Sequence, residues 1–162
     1  MFRNILVCVD GSPQSDQALT QAIDLADCQN SRLTILTAVT RPPYWANTPM
    51  TAAGIEPMAV ELEQEAKQVL CRAVDRVPDC IPVTKILTEE PIRDALVCQI
   101  KSGCYDLIVL GTRGRSAVAA SLRGSLSHYA LHHCHVPVLI VHAEGEGEPE
   151  TRASDQPAIT VA

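Results

Sequence analysis

Leu107-Ile108-Val109-Leu110-Gly111-Thr112-Arg113-Gly114, followed nine residues later by Gly124-Ser125-Leu126, is the stretch on which the reading of this chain turns. Four consecutive apolar residues suit a strand buried on both faces. Tyr129, Ala130 and Leu131, beyond Leu126, continue as a helix. Between them lies a loop punctuated by glycine. Glycine takes up positive φ without strain and lets a backbone come close to a bulky anion. Successive backbone N–H groups, together with those that open a helix, make a concave site for phosphate oxygens. Arg113 and Arg115 add positive charge beside it. The stretch reads as strand, phosphate-binding loop and helix of an α/β protein.

The spacing excludes two common phosphate loops. A Walker A loop needs Gly, four residues and then Gly-Lys-Ser/Thr, and no such run occurs. The dinucleotide fingerprint needs Gly-x-Gly-x-x-Gly after the first strand, where this chain has Asp10-Gly11-Ser12.

Working outward, apolar runs alternate with helical patterns. Ile5 to Val9 reads as a buried strand, followed by a helix that Ser12 caps, with Pro13 in its first turn. Leu33 to Val39 gives a second strand. Arg41 to Pro57 is a long connection, and Met58 to Val77 carries apolar residues at helical spacing up to Pro78. Ile81 to Leu87, Pro91 to Ile100, Leu107 to Leu110, the helix after Ser125 and Val138 to Val141 complete five strands and four helices. Such alternation implies parallel strands joined by right-handed crossovers.

The Gly-x2-Gly-x9-Gly-Ser pattern, with Asn4-Ile5-Leu6-Val7-Cys8-Val9-Asp10-Gly11-Ser12 at the N-terminus, resembles the ATP-binding branch of the universal stress protein family. The resemblance extends over residues 2–143, Pro137 to Val141 matching the family's last strand. It implies a single doubly wound α/β domain, a five-stranded parallel sheet of order 3-2-1-4-5 with helices on both faces. Ligands of open α/β sheets bind where the strand order reverses, here between strands one and four. By this resemblance Asp10 and the backbone of Val39 hold adenosine. Gly111, Gly114, Gly124, Ser125 and the Leu126 amide hold ribose and phosphates, with Arg113 and Arg115 beside them. The implied cofactor is ATP with Mg²⁺ or Mn²⁺. The chain departs from the family at two places where members often carry glycine, Glu89 and Ala117. Glu89 sets a negative charge near the crevice rim.

Each of these residues also has a reading without a ligand. Asp10 can serve the turn into the helix, Gly111 and Gly114 can shape a tight connection, and Ser125 can be an N-cap. The two functional expectations follow from this. One is an ATP-binding regulatory protein of stress physiology, a nucleotide sensor or buffer with slow or no hydrolysis, since no base or loop lysine is visible. The other is a nucleotide-free dimeric scaffold with a vestigial loop.

Composition bounds the rest. In 162 residues, apolar types make up 46% and aromatics 3%, so the core must be aliphatic. A net charge of −6 argues against a general binder of nucleic acid or anionic membranes. No apolar run approaches the ~20 residues that span a bilayer, and the start lacks a signal-peptide pattern; the expected location is the cytoplasm. Residues 1–143 are read as the nucleotide-binding domain. Residues 144–162, with five acids and one arginine, are read as a disordered acidic tail. The seven cysteines form no Cys-x-x-Cys pair and are read as small apolar residues of strands and helix faces. His128, His132 and His135 share a helical spacing with no carboxylate among them. They read as favourable charge at a helix C-terminus, not as a metal centre. Val136, Val138, Leu139, Ile140 and Val141 predict an exposed apolar edge strand, and hence a homodimer joined through it.

Overall fold

A computed structural model describes residues 1–39, 52–112 and 126–142. Nine elements alternate along them: β1 (Asn4–Cys8), α1 (Pro13–Gln29), β2 (Arg32–Ala38), α2 (Ala52–Asp75), β3 (Val83–Thr88), α3 (Ile92–Lys101), β4 (Leu107–Gly111), α4 (Leu126–His133) and β5 (Val138–Val141). The strands form one parallel sheet in the order β3-β2-β1-β4-β5, as expected.

Alternation along the strands sorts two apolar layers. Ile5, Val7 and Val9 of the first segment join Leu33, Ile35, Leu107 and Val109 beneath α1 and α2. Leu6 and Cys8 join Leu36, Ile108 and Leu110 beneath α3 and α4. A strand buried on both sides has no polar face to show, which is why these segments read as continuous apolar runs.

Helix α1 is fixed at both ends by local chemistry. Ser12 is extended, and its side chain accepts a 3.2 Å bond from the Ser15 amide, while Pro13 takes the first helical position, where no N–H is needed. Asn30, in the left-handed region at φ 53°, closes the helix. At the opposite end of the sheet from the crevice, the Asp106 carboxylate accepts from the amides of Arg3 and Asn4 at 2.8 and 3.0 Å.

Element ends depart from expectation in places, for stated reasons. β3 begins at Val83 because the Ile81 amide turns back to the Pro78 carbonyl, 3.0 Å away. α2 begins at Ala52, six residues before Met58. Its Pro57 falls in the second turn, where it has no amide to give the Ala53 carbonyl.

The cysteines need a correction. Only Cys8 is buried and Cys134 half-buried, whereas Cys28, Cys71, Cys80, Cys98 and Cys104 are exposed; all seven are free thiols. The core stripe of α2 runs through Ala66, Val69, Leu70 and Ala73, so Cys71 sits one step of about 100° beyond Leu70 and leaves the stripe. Cys28 and Cys98 miss the stripes of α1 and α3 in the same way.

The last strand is an edge, paired among the described residues with β4 alone. Its side chains are half-buried, not exposed: Leu139 and Val141 pack on the α1 layer, Val136 and Val138 on the α3–α4 layer. The expected tail, 144–162, lies outside the described residues. No helix among the described residues is long and apolar enough to cross a membrane.

Candidate functional site

β1 sends its chain to one side of the sheet, towards β2, and takes β4 on the other side. Beyond the carboxyl ends of these strands, where the strand order reverses, lies a crevice, the general location of ligands in such sheets. A cavity of about 420 Å³ occupies it, within the range of roughly 300–1,000 Å³ that small-molecule sites take.

Each wall comes from a strand end or a helix start. Asp10, Ser12 and Ser15 come from the β1–α1 turn. Ala38 and Val39 close β2, and Glu89, Pro91 and Ile92 lead from β3 into α3. Gly111 and Thr112 finish β4, and Leu126 and Ser127 open α4. Cys8 and Leu110 also line the cavity. Asp10, Val39, Gly111 and Leu126, named from sequence, therefore meet at one cavity, with Glu89 at its rim. Arg113, Gly114, Arg115, Gly124 and Ser125 lie outside the described residues, as does Ala117.

Sequence reasoning missed Ser15, Thr112 and Ser127. Ser15 is buried; its hydroxyl accepts from the Asp10 amide at 3.3 Å and donates to the Ser12 carbonyl at 2.9 Å. Buried Ser127 donates to the Gly111 carbonyl at 3.3 Å, tying α4 to the end of β4. The Thr112 amide donates to the Val141 carbonyl at 2.8 Å, so the strand ladder persists up to the loop. A Ser or Thr just after a strand or in a helix's first turn was the available signal for all three.

Three expected residues have local work that needs no ligand. Asp10 accepts the Ser12 amide on Oδ1 at 3.0 Å, closing a turn around Gly11, whose φ of 78° suits glycine. The Val39 amide donates to the Thr88 carbonyl at 2.8 Å. A β-carbon on Gly111 would stand 2.5 Å from the Gln14 carbonyl oxygen, so α1 requires glycine there.

Electrostatically, the charged side chains among the described lining residues are Asp10 and Glu89, both acidic. The Cys8 thiol is pushed up to about 12, first by burial and then by Cys134 and the Asp10 charge. It stays protonated near neutrality and is no nucleophile there. Hydroxyls of Ser12, Ser15, Thr112 and Ser127 stand on the same walls as the carboxylates. Oxygen donors of this kind suit Mg²⁺, which usually keeps waters and takes one or two carboxylates plus substrate phosphates.

The histidines assemble differently. The His128 and His132 rings lie 4.5 Å apart, while His133 Nδ1 is 3.0 Å from the Tyr129 carbonyl and its ring stacks on Tyr129. Among the described residues no three His, Cys, Asp or Glu side chains gather into a metal site.

Comparison with known proteins gives a consistent answer. Residues 1–142 match the model of the universal stress protein family. A universal stress protein of Mycobacterium tuberculosis is 31% identical over 140 residues, 84% of this chain and 44% of its own length. The universal stress protein YxiE of Bacillus subtilis is 30% identical, covering 87% of this chain and 99% of the relative. A crystal structure of a universal stress protein in complex with cAMP is 27% identical with a TM-score of 0.62, over 88% of this chain and 98% of that one. The chain spans about half the length of the mycobacterial relatives it matches.

Proposed function

The chain belongs to the universal stress protein family, and from that premise we propose that its crevice binds an adenine nucleotide. The finer reading is ATP with Mg²⁺ or Mn²⁺, held for sensing or buffering in a stress response, in the cytoplasm. The observation that carries it is convergence: Asp10, Val39, Gly111 and Leu126 come from four separate segments and line one cavity of about 420 Å³. The relative crystallised with cAMP supports adenine as the base. In this reading Asp10 and Val39 face the adenosine. The segment from Gly111 through Arg113, Gly114, Arg115, Gly124 and Ser125 to the Leu126 amide cradles the phosphates. Residues 1–143 form the binding unit and 144–162 an appended acidic tail.

Binding, not turnover, is the proposed act. Phosphoryl transfer needs a positioned nucleophile and charge stabilisation of the transferred group. The described walls offer two carboxylates and several hydroxyls, and Cys8 is held as a thiol. A metal ion would supply charge neutralisation for the phosphates, with Asp10 placed to hold it through water.

A second reading keeps the fold and drops the nucleotide. It is favoured by the local work of Asp10 on Ser12 and of Gly111 against Gln14, neither of which needs a ligand. Function would then lie in a homodimer paired through β5.

Calorimetric titration with ATP and Mg²⁺ decides between them. Heat of binding in the native protein, lost in Gly124→Val, is expected, because a β-branched side chain would intrude on the phosphates. No heat in the native protein, with no nucleotide released on denaturation and anion-exchange chromatography, would leave the scaffold reading standing.

A further inference from the structure

Among the described hydroxyls on the crevice walls, that of Thr112 is the most loosely held. Ser15 and Ser127 give their protons to the Ser12 and Gly111 carbonyls at 2.9 and 3.3 Å, and the Ser12 oxygen caps the Ser15 amide at 3.2 Å. Thr112 Oγ1 stands 3.4 Å from the Val141 carbonyl, which its own amide already takes at 2.8 Å, and 3.5 Å from Nδ1 of His142. Both contacts are long for a hydroxyl, whose bonds centre near about 2.8 Å. The neighbours meet because Gly111 and Val141 are register partners at the ends of β4 and β5. Thr112 lines the crevice, and His142 is exposed beside it.

A negative group is best placed at this corner. Ser127 ties the first turn of α4 to Gly111, so the opening amides of the helix stand next to Thr112, and a helix start favours anions. Asp10 and Glu89 come from the ends of β1 and β3, two and four strands from β5. Around His142, β4 carries no titratable side chain. α4 carries His128, Tyr129, His132 and His133, the last stacked on Tyr129. On α1, Asp16 is paired with Arg76 at 3.2 Å, and Asp24, Asp27 and Cys28 lie further along the helix.

We propose that His142 is a positioning residue that sets the hydrogen-bond polarity of Thr112 towards an anionic group of the ligand. This rests on the nucleotide reading of the crevice. A neutral imidazole takes the Thr112 proton on Nδ1 and leaves the lone pairs of the hydroxyl facing the ligand. In the protonated ring both nitrogens are donors. Nδ1 then gives a proton to Thr112 Oγ1, and the hydroxyl proton is released to a phosphate oxygen. The positive ring adds charge at the same corner, so polarity and charge act together. Histidine is the side chain whose charge ordinarily changes between about pH 5 and 8. Affinity for an anion therefore rises as pH falls through that range.

The test is calorimetric titration of the native protein with cAMP and with adenosine at about pH 5.5 and 8. The phosphodiester of cAMP keeps one negative charge throughout, and adenosine carries none. Native protein is expected to bind cAMP about fivefold more tightly at the lower pH, the scale of one exposed ionic contact, with adenosine affinity level. His142→Gln and Thr112→Val should each flatten the cAMP profile, while Thr112→Ser and His128→Gln keep it. Adenosine affinity equal to that of the native protein establishes that each variant is folded. A level profile in the native protein, a pH dependence retained in His142→Gln or Thr112→Val, its loss in His128→Gln, or adenosine bound without cAMP would each overturn the role of His142. Failure of both probes to bind native protein would remove the nucleotide reading itself.

Discussion

The carbonyl oxygen of Gln14 occupies the space where a β-carbon on Gly111 would stand, the two separated by only 2.5 Å. Helix α1 thereby packs backbone against backbone on the end of β4, directly beneath the crevice. The obstacle is main chain, so no side-chain rotation relieves it. Gly111→Ala should cost about 2–3 kcal/mol, at the upper end of overpacking changes. The smaller gain from stiffening the unfolded chain, about 0.4–1 kcal/mol, does not offset it. Urea denaturation checks this, and unchanged stability would mean that α1 shifts freely on the sheet.

The entry to α1 gives a smaller effect. Ser12→Ala removes the acceptor of the Ser15 amide and should lower stability by about 1 kcal/mol, with Ser12→Asp retaining most of it. Denaturation without nucleotide is the right measurement, because Ser12 also lines the cavity.

Alkaline pH should act through Cys8. Its thiol is raised from 9.0 to about 12 in the folded protein by burial, then Cys134 and Asp10. Above pH 9 the unfolded chain loses this proton while the native state keeps it. The unfolded state then binds fewer protons, so stability falls as pH rises from 9 towards 12. Cys134, also raised by burial, acts in the same direction. Cys8→Ala should be less stable at neutral pH but show a shallower decline above pH 9. Parallel alkaline limbs in the two proteins would refute the assignment.

The dimer proposed through β5 calls for a chosen substitution. Leu139 and Val141 pack on the α1 layer, so replacing them would damage the fold itself. Ile140 alternates onto the face of Val138, is packed against neither buried cluster among the described residues, and is half-buried on the edge strand. Ile140→Lys should lower the mass seen by light scattering from two subunits to one, with a cooperative unfolding transition retained. A native protein already monomeric at micromolar concentration would dispose of the interface.

Much of this architecture was legible because the strands are buried on both faces and the helices begin with strong local signals. Ser12 and Pro13 announced α1, and Val138–Val141 was bounded correctly by Pro137. The crevice was legible through strand order, which no periodicity supplies and which came with the family resemblance. Local hydrogen bonding was not legible. That Asp10 holds Ser12, that Val39 gives its amide to Thr88, and that Ser127 reaches Gly111 depend on loop geometry, which residue type leaves open. The cysteines were misread by taking helix membership for burial, although the stripe of Ala66, Val69, Leu70 and Ala73 already excluded Cys71.

The central place of β1 has a consequence for the order in which the chain is made. Ile5, Leu6 and Val7 pair with Leu33, Thr34 and Ile35 on one side and with Leu107, Ile108 and Val109 on the other. The first partner leaves the ribosome early, but the second lies about 100 residues after β1. At roughly 5–20 residues per second, that interval is on the order of 5–20 s. Throughout it the nascent sheet carries an open, wholly apolar strand edge, where another chain can pair. Translation speed between residues 39 and 107, and the chaperones that meet the chain during it, therefore bear on the yield of this protein.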